Sequence, residues 1–149
     1  ASHPDTAALV EAADGSHFFA PAGAGDEVSP AGLVVYRFGA PLYFANATFF
    51  LEEVEHLVDQ APTPVRWFVL DAEAIVDVDT TGAGALRQAI TMLTGRGITV
   101  AVSRADRAFR TWLETYELME LIDQKRLYPT NWHAAAAFRE DQARVGAGA

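Results

Sequence analysis

The stretch WFVLDAEAIVDVDTTGAGAL, residues 67–86, contains the change of period that decides the fold. Trp67, Phe68, Val69 and Leu70 are apolar without a break, as in a central strand covered on both faces. Asp71 marks the carboxyl end of that strand. Ile75 and Val78 can pack the following loop down, and Asp79 or Thr80 can cap a helix. Leu86, Ala89, Ile90 and Leu93 then recur at helical spacing, and Gly95 and Gly97 close the helix. A buried strand feeding a capped helix is the unit of an α/β domain.

Working outward, Leu33–Phe38 (LVVYRF) reads as a strand, broken at Gly39–Pro41. Leu42–Phe44 (LYF) is expected to resume as a second short strand, making an antiparallel hairpin at one sheet edge. Asn46 is expected to cap a helix with Phe50, Val54, Leu57 and Val58 on one face, ended by Pro62 and Pro64. ITVAV at 98–102 is another buried strand. Asp106 can cap a helix carrying Phe109, Trp112, Leu113 and Tyr116. LYP at 127–129 reads as a last strand, and Thr130 or Asn131 opens a final helix with Ala134, Ala137 and Phe138 inward. The expected fold is an α/β mixed sheet of four to five strands packed with about four helices. Residues 1–32, rich in Pro, Gly and Ala, read as a linker or arm. The folded domain is expected over 33–141, with a flexible tail at 142–149.

The chain has 149 residues, half of them hydrophobic, which suits one domain with a real core. Its net charge of −9 argues against nucleic acid as a partner. There is no cysteine, so disulfide and thiolate chemistry are excluded. No apolar run approaches the ~18–20 residues of a membrane span. The chain does not begin with Met and reads as a piece of something longer.

The helix start at Asp79–Gly84 is the candidate site. The first-turn amides of Thr81, Gly82, Ala83 and Gly84 are expected to lack helical partners, with Gly82 and Gly84 leaving room for close approach. Asp79, Thr80, Thr81, Gly82, Ala83 and Gly84 are therefore the expected contacts for an anion or nucleotide. The stretch lacks the lysine and spacing of a P-loop and the full dinucleotide fingerprint. Asp77 and Asp79 have no companion at metal-ligand spacing, so no metal site is expected. Thr81 has no visible base, and His3, His17, His56 and His133 read as solvated or capping, so no catalytic residue is expected. Trp67, Trp112 and Trp132 fall on core periods and read as packing. Arg104, Arg107 and Arg110 form a basic cluster that reads as a solvated face or a docking surface.

VYRFGAPLYFANATFF at 35–50 resembles the opening segment of bacterial STAS domains attached to sulfate-permease-type (SulP/SLC26) anion transporters. WFVLDAEAIVDVDTTGAGAL resembles the second block of that family, which anti-sigma factor antagonists share. The resemblance implies a non-catalytic regulatory or assembly domain on the cytoplasmic face of a multi-pass membrane protein. It implies docking to the transmembrane domain of the same polypeptide, to another copy, or to cytosolic proteins, with no enzyme activity. Thr81 matches the serine that antagonists carry phosphorylated. The resemblance leaves two alternatives, a free-standing partner switch phosphorylated at Thr81 and a module that binds GTP or ATP.

Overall fold

The computed structural model describes residues 4–11, 17–22, 30–122 and 126–148. Six strands form one sheet in the order β2-β1-β3-β4-β5-β6. They are β1 (Asp5–Glu11), β2 (His17–Pro21), β3 (Leu33–Gly39), β4 (Trp67–Asp71), β5 (Thr99–Ser103) and β6 (Leu127–Tyr128). β3 through β6 are parallel, and β1 pairs antiparallel with both β2 and β3. The helices are α1 (Ala47–Asp59), α2 (Thr80–Gly95), α3 (Arg107–Thr115) and α4 (Asn131–Ala147).

Alternation along β3 and β4 builds two cores. Val34, Tyr36, Phe38, Phe68 and Leu70 face one side, against Phe50, Val54 and Leu57 of α1, Leu86, Ile90 and Leu93 of α2, and Phe109 and Leu113 of α3. Leu33, Val35, Trp67 and Val69 face the other, against Ala134, Ala135 and Phe138 of α4. Every residue of β4 is buried, as its unbroken apolar run requires.

Three expectations are corrected. Residues 5–11 and 17–21, expected in a linker, are strands. β3 is buried along nearly its whole length, and β1 supplies backbone partners for an edge that would otherwise lie open. Leu9 and Phe19 pack onto the α4 side of the sheet. The sheet accordingly has six strands rather than four or five. The tail from Gln142 continues α4 to Ala147, since extending a formed helix fixes few torsions per new bond. Finally, Leu42–Phe44 is not a hairpin strand. Leu42 makes one parallel bridge to Val78, and the chain then turns into α1.

Tyr36 is fully buried and donates to Glu53 on α1. Burial first, then the hydrogen bond and charge of Glu53, hold its hydroxyl far above the usual tyrosine range. A raised folded-state value contributes stability that is complete below the unfolded value of ~10. That stability is lost at higher pH, as the unfolded chain ionises while the folded one cannot. Urea melts from neutral pH upward should show stability falling above about pH 10, and Tyr36→Phe should flatten that fall. An unchanged slope in the variant would contradict the assignment.

Candidate functional site

The loop after β4 runs back along the segment after β3, and backbone bonds close the two together. The Leu42 amide donates to Asp77 O at 2.9 Å, and the Asp79 amide donates to Leu42 O at 3.2 Å. Asp79 is the α2 N-cap. One carboxylate oxygen accepts from the Gly82 amide at 2.7 Å and the other from the Phe44 amide at 2.9 Å. A single side chain thus fixes both the helix start and the adjoining lip. Asp77 accepts from the Tyr43 hydroxyl at 2.9 Å and from the Val78 amide.

This geometry revises the anion site. Gly82 donates to Asp79, and the Ala83 amide donates to Asp79 O at 2.8 Å. Gly82 is not open to a ligand, because the Leu42 backbone lies against it and Gly82 is buried. Gly84 is exposed with open space beside it. The first-turn dipole already faces the Asp79 carboxylate. Thr80 and Thr81 are exposed at the surface of this turn.

Asn46, expected to cap α1, makes no side-chain cap bond. Its carboxamide oxygen accepts from the Tyr43 amide at 2.9 Å, and its nitrogen donates to Pro41 O at 2.8 Å. It therefore shapes the lip instead of the helix. Outside this frame stand apolar side chains that sequence periodicity missed. Phe44 is 75% exposed, Val76 65% and Tyr43 37%. The signal available was their position in a turn-rich stretch between apolar strands.

A second polar group lies at the carboxyl ends of β4 and β5. Asp71 is fully buried. It accepts from the Glu73 amide at 3.0 Å, from Asn131 Nδ2 at 2.9 Å and from Arg104 Nη1 at 3.4 Å. Ser103 donates to the Asn131 carboxamide oxygen, which ties β5 to the start of α4. Glu73 pairs with both Arg37 and Arg104. Arg104 has a left-handed backbone (φ 56°), and its amide donates to Tyr128 O at 2.9 Å. The expected basic cluster is therefore divided. Arg104 is engaged in holding the sheet edge, while Arg107 and Arg110 lie exposed on α3.

Trp67 is buried, and its indole donates to Asp141 at 3.1 Å. Trp112 is half-buried against the core. Trp132, expected to pack, is 71% exposed on the first turn of α4. The inward face of that helix is set by Ala134, Ala135 and Phe138. His56 and His133 are exposed, and the His133 amide donates to the Thr130 cap. The side chains of His3 and His17 lie outside the described residues. Among the described residues no group of three or more His, Cys, Asp or Glu could hold a metal ion. No described helix is long and apolar enough to cross a membrane.

Asp79→Ala should cost about 0.5–2 kcal/mol in urea unfolding, the range for a lost N-cap. Asp79→Asn should cost less, because asparagine caps as well as aspartate. Equal losses for both would point to charge rather than capping.

The family model described as "STAS domain" matches residues 27–134. The probable sulfate transporter Rv1739c of Mycobacterium tuberculosis is 44% identical over 108 residues, covering 72% of this chain and 19% of that protein. The chain thus spans about a fifth of the length of that curated relative. The structure of a SulP transporter STAS domain from Vibrio cholerae is 26% identical, with a TM-score of 0.64, covering 80% of this chain and 91% of that one. The Bacillus cell fate determinant SpoIIAA in its phosphorylated form shares the fold at 14% identity, with a TM-score of 0.57, over 75% of this chain and 96% of its own. The mixed sheet, the capped helix start at Asp79 and the family match over residues 27–134 agree, and the chain belongs to the STAS domain family, homologous to the STAS domains of SulP/SLC26-type transporters.

Proposed function

We propose that this domain is a non-catalytic docking module whose binding face is the start of α2 together with Tyr43, Phe44 and Val76. One observation carries this reading. The carboxylates beside the face are engaged by the chain's own donors, while large apolar side chains stand outside. A catalytic base must reach a substrate proton, whereas an exposed aromatic flanked by satisfied polar groups suits recognition.

Two settings fit such a module. Sequence similarity to Rv1739c supports a domain on the cytoplasmic side of a sulfate or related anion transporter, docking to its membrane-spanning part. The site's own geometry supports a free-standing partner switch. Thr81 is exposed at the helix start, and a phosphate there would add ~1.5–2 negative charges beside Asp77 and Asp79.

Co-expression with the membrane-spanning part of a homologous transporter tests the first setting. Co-purification that Phe44→Ala abolishes would support it. Incubation with a cognate kinase followed by intact-mass measurement tests the second. A gain of one phosphate, absent in Thr81→Ala, would support it. No co-purification and an unchanged mass would count against both.

A further inference from the structure

We propose that the lip at Tyr43, Phe44 and Val76 receives a cationic, apolar segment of a partner protein, an inference that rests on the docking reading above. Three features of the surface point to that chemistry. Its centre is apolar, because Phe44 is 75% exposed and its neighbour Tyr43 is 37% exposed. Its rim is acidic, since Tyr43 bonds Asp77 and the Phe44 amide bonds Asp79. Among the described residues neither carboxylate is in an ion pair, since those pairs engage Asp59, Asp71, Glu73, Glu140 and Asp141.

Satisfied hydrogen bonds do not remove charge. Asp77 is exposed and Asp79 half-buried, so both still project a negative potential over the lip. A segment that buries apolar side chains on Phe44 brings its neighbours against those carboxylates, and Lys or Arg there relieves the charge. The other candidate surfaces fit less well. An anionic lipid surface would be repelled by this rim and by the net charge of −9. A second copy seated lip to lip would place like charges together.

The sign of regulation follows. A phosphate on Thr81 would deepen the negative field, so it would tighten the cationic partner and not release it.

The test uses the whole chain, labelled with nitrogen-15, and two helical peptides of equal length, one of Leu and Lys and one of Leu and Glu. The Leu/Lys peptide is expected to shift the amides of residues 43–45 and 76–81. Its affinity should fall with added salt and drop about tenfold or more in Phe44→Ala. Phe44→Ala should leave the melting temperature unchanged, since the ring is largely outside the fold. Asp77→Asn should weaken the Leu/Lys peptide while leaving Phe44-dependent contact in place.

Equal binding of the Leu/Glu peptide at these residues would overturn the cationic partner and leave the docking face standing. Shifts elsewhere, or affinity unchanged in Phe44→Ala, would overturn the face itself. Self-association seated on the lip would overturn the proposal in favour of a second copy.

Discussion

Replacing Gly82 with alanine is expected to lower stability by about 3 kcal/mol, at the upper end for forced overpacking. A Cβ at this position would stand 2.0 Å from the Leu42 carbonyl oxygen and 2.7 Å from its carbonyl carbon. The obstacle is backbone, so no side-chain rotation can relieve it. That backbone is held by the Leu42 amide to Asp77 O and by the Asp79 amide to Leu42 O. Relief therefore means peeling the lip from α2, and the bonds from Gly82 and Phe44 to Asp79 go with it. For a chain of this size, about 3 kcal/mol corresponds to a melting point lower by roughly 10 °C.

Gly84→Ala is the internal control. Nothing lies within 4 Å of its Cβ position, and the residue is exposed inside the helix. Alanine there should raise stability by about 0.5–1 kcal/mol through helix propensity. Paired thermal melts should thus move in opposite directions. Small, like-signed shifts would contradict the close approach of Leu42 to α2.

The second large effect is expected at Asp71. Asp71→Ala should cost about 3 kcal/mol, near the lower end for removing one partner of a buried charge pair. The lower end applies because Arg104 is 34% exposed and retains Glu73 as a partner. The rest comes from the Glu73 amide and Asn131 Nδ2, which lose their acceptor beneath the sheet edge. Asp71→Asn should recover only part of this, since an amide there turns a donor toward donors. Urea unfolding with unchanged slope measures both variants. A loss below about 1 kcal/mol for Asp71→Ala, the worth of an ordinary neutral hydrogen bond, would show that the group is not coupled.

The central fold was legible because β4 and α2 announce themselves locally. Trp67–Leu70 is an unbroken apolar run, and Asp79 stands directly before a helical period. The Asp106 cap read correctly for the same reason, and Thr130 is the cap of the two residues, Thr130 or Asn131, that the sequence offered. What failed depended on partners distant in sequence. β1 and β2 are set among Pro, Gly and Ala; β1 becomes a strand because β3 offers an unpaired edge, and β2 pairs in turn with β1. Leu42 carries strand-like neighbours, yet its partner is Val78. Asn46 looks like a cap but binds backward, to Pro41 and Tyr43.

The same limit applies to the site. The helix start was visible, and Asp79 was correctly among its caps. The occupation of Gly82 by Leu42 was not, because it is a contact between segments some forty residues apart. Phe44 was read as part of a strand, whereas the turn into α1 carries it into solvent. Arg104 looked like its neighbours in a basic run, and only the fold brings Asp71 and Glu73 to it.

The account rests on Asp79 holding the α2 start and the exposed lip as one unit. Amide hydrogen exchange at Phe44 and Gly82, read residue by residue, tests this directly. In the wild-type chain both amides should be protected, both should lose protection together in Asp79→Ala, and Asp79→Asn, whose carboxamide has a single acceptor oxygen, should keep it at Gly82 and lose it at Phe44. A Phe44 amide that exchanges in the wild type as fast as an open loop would contradict it.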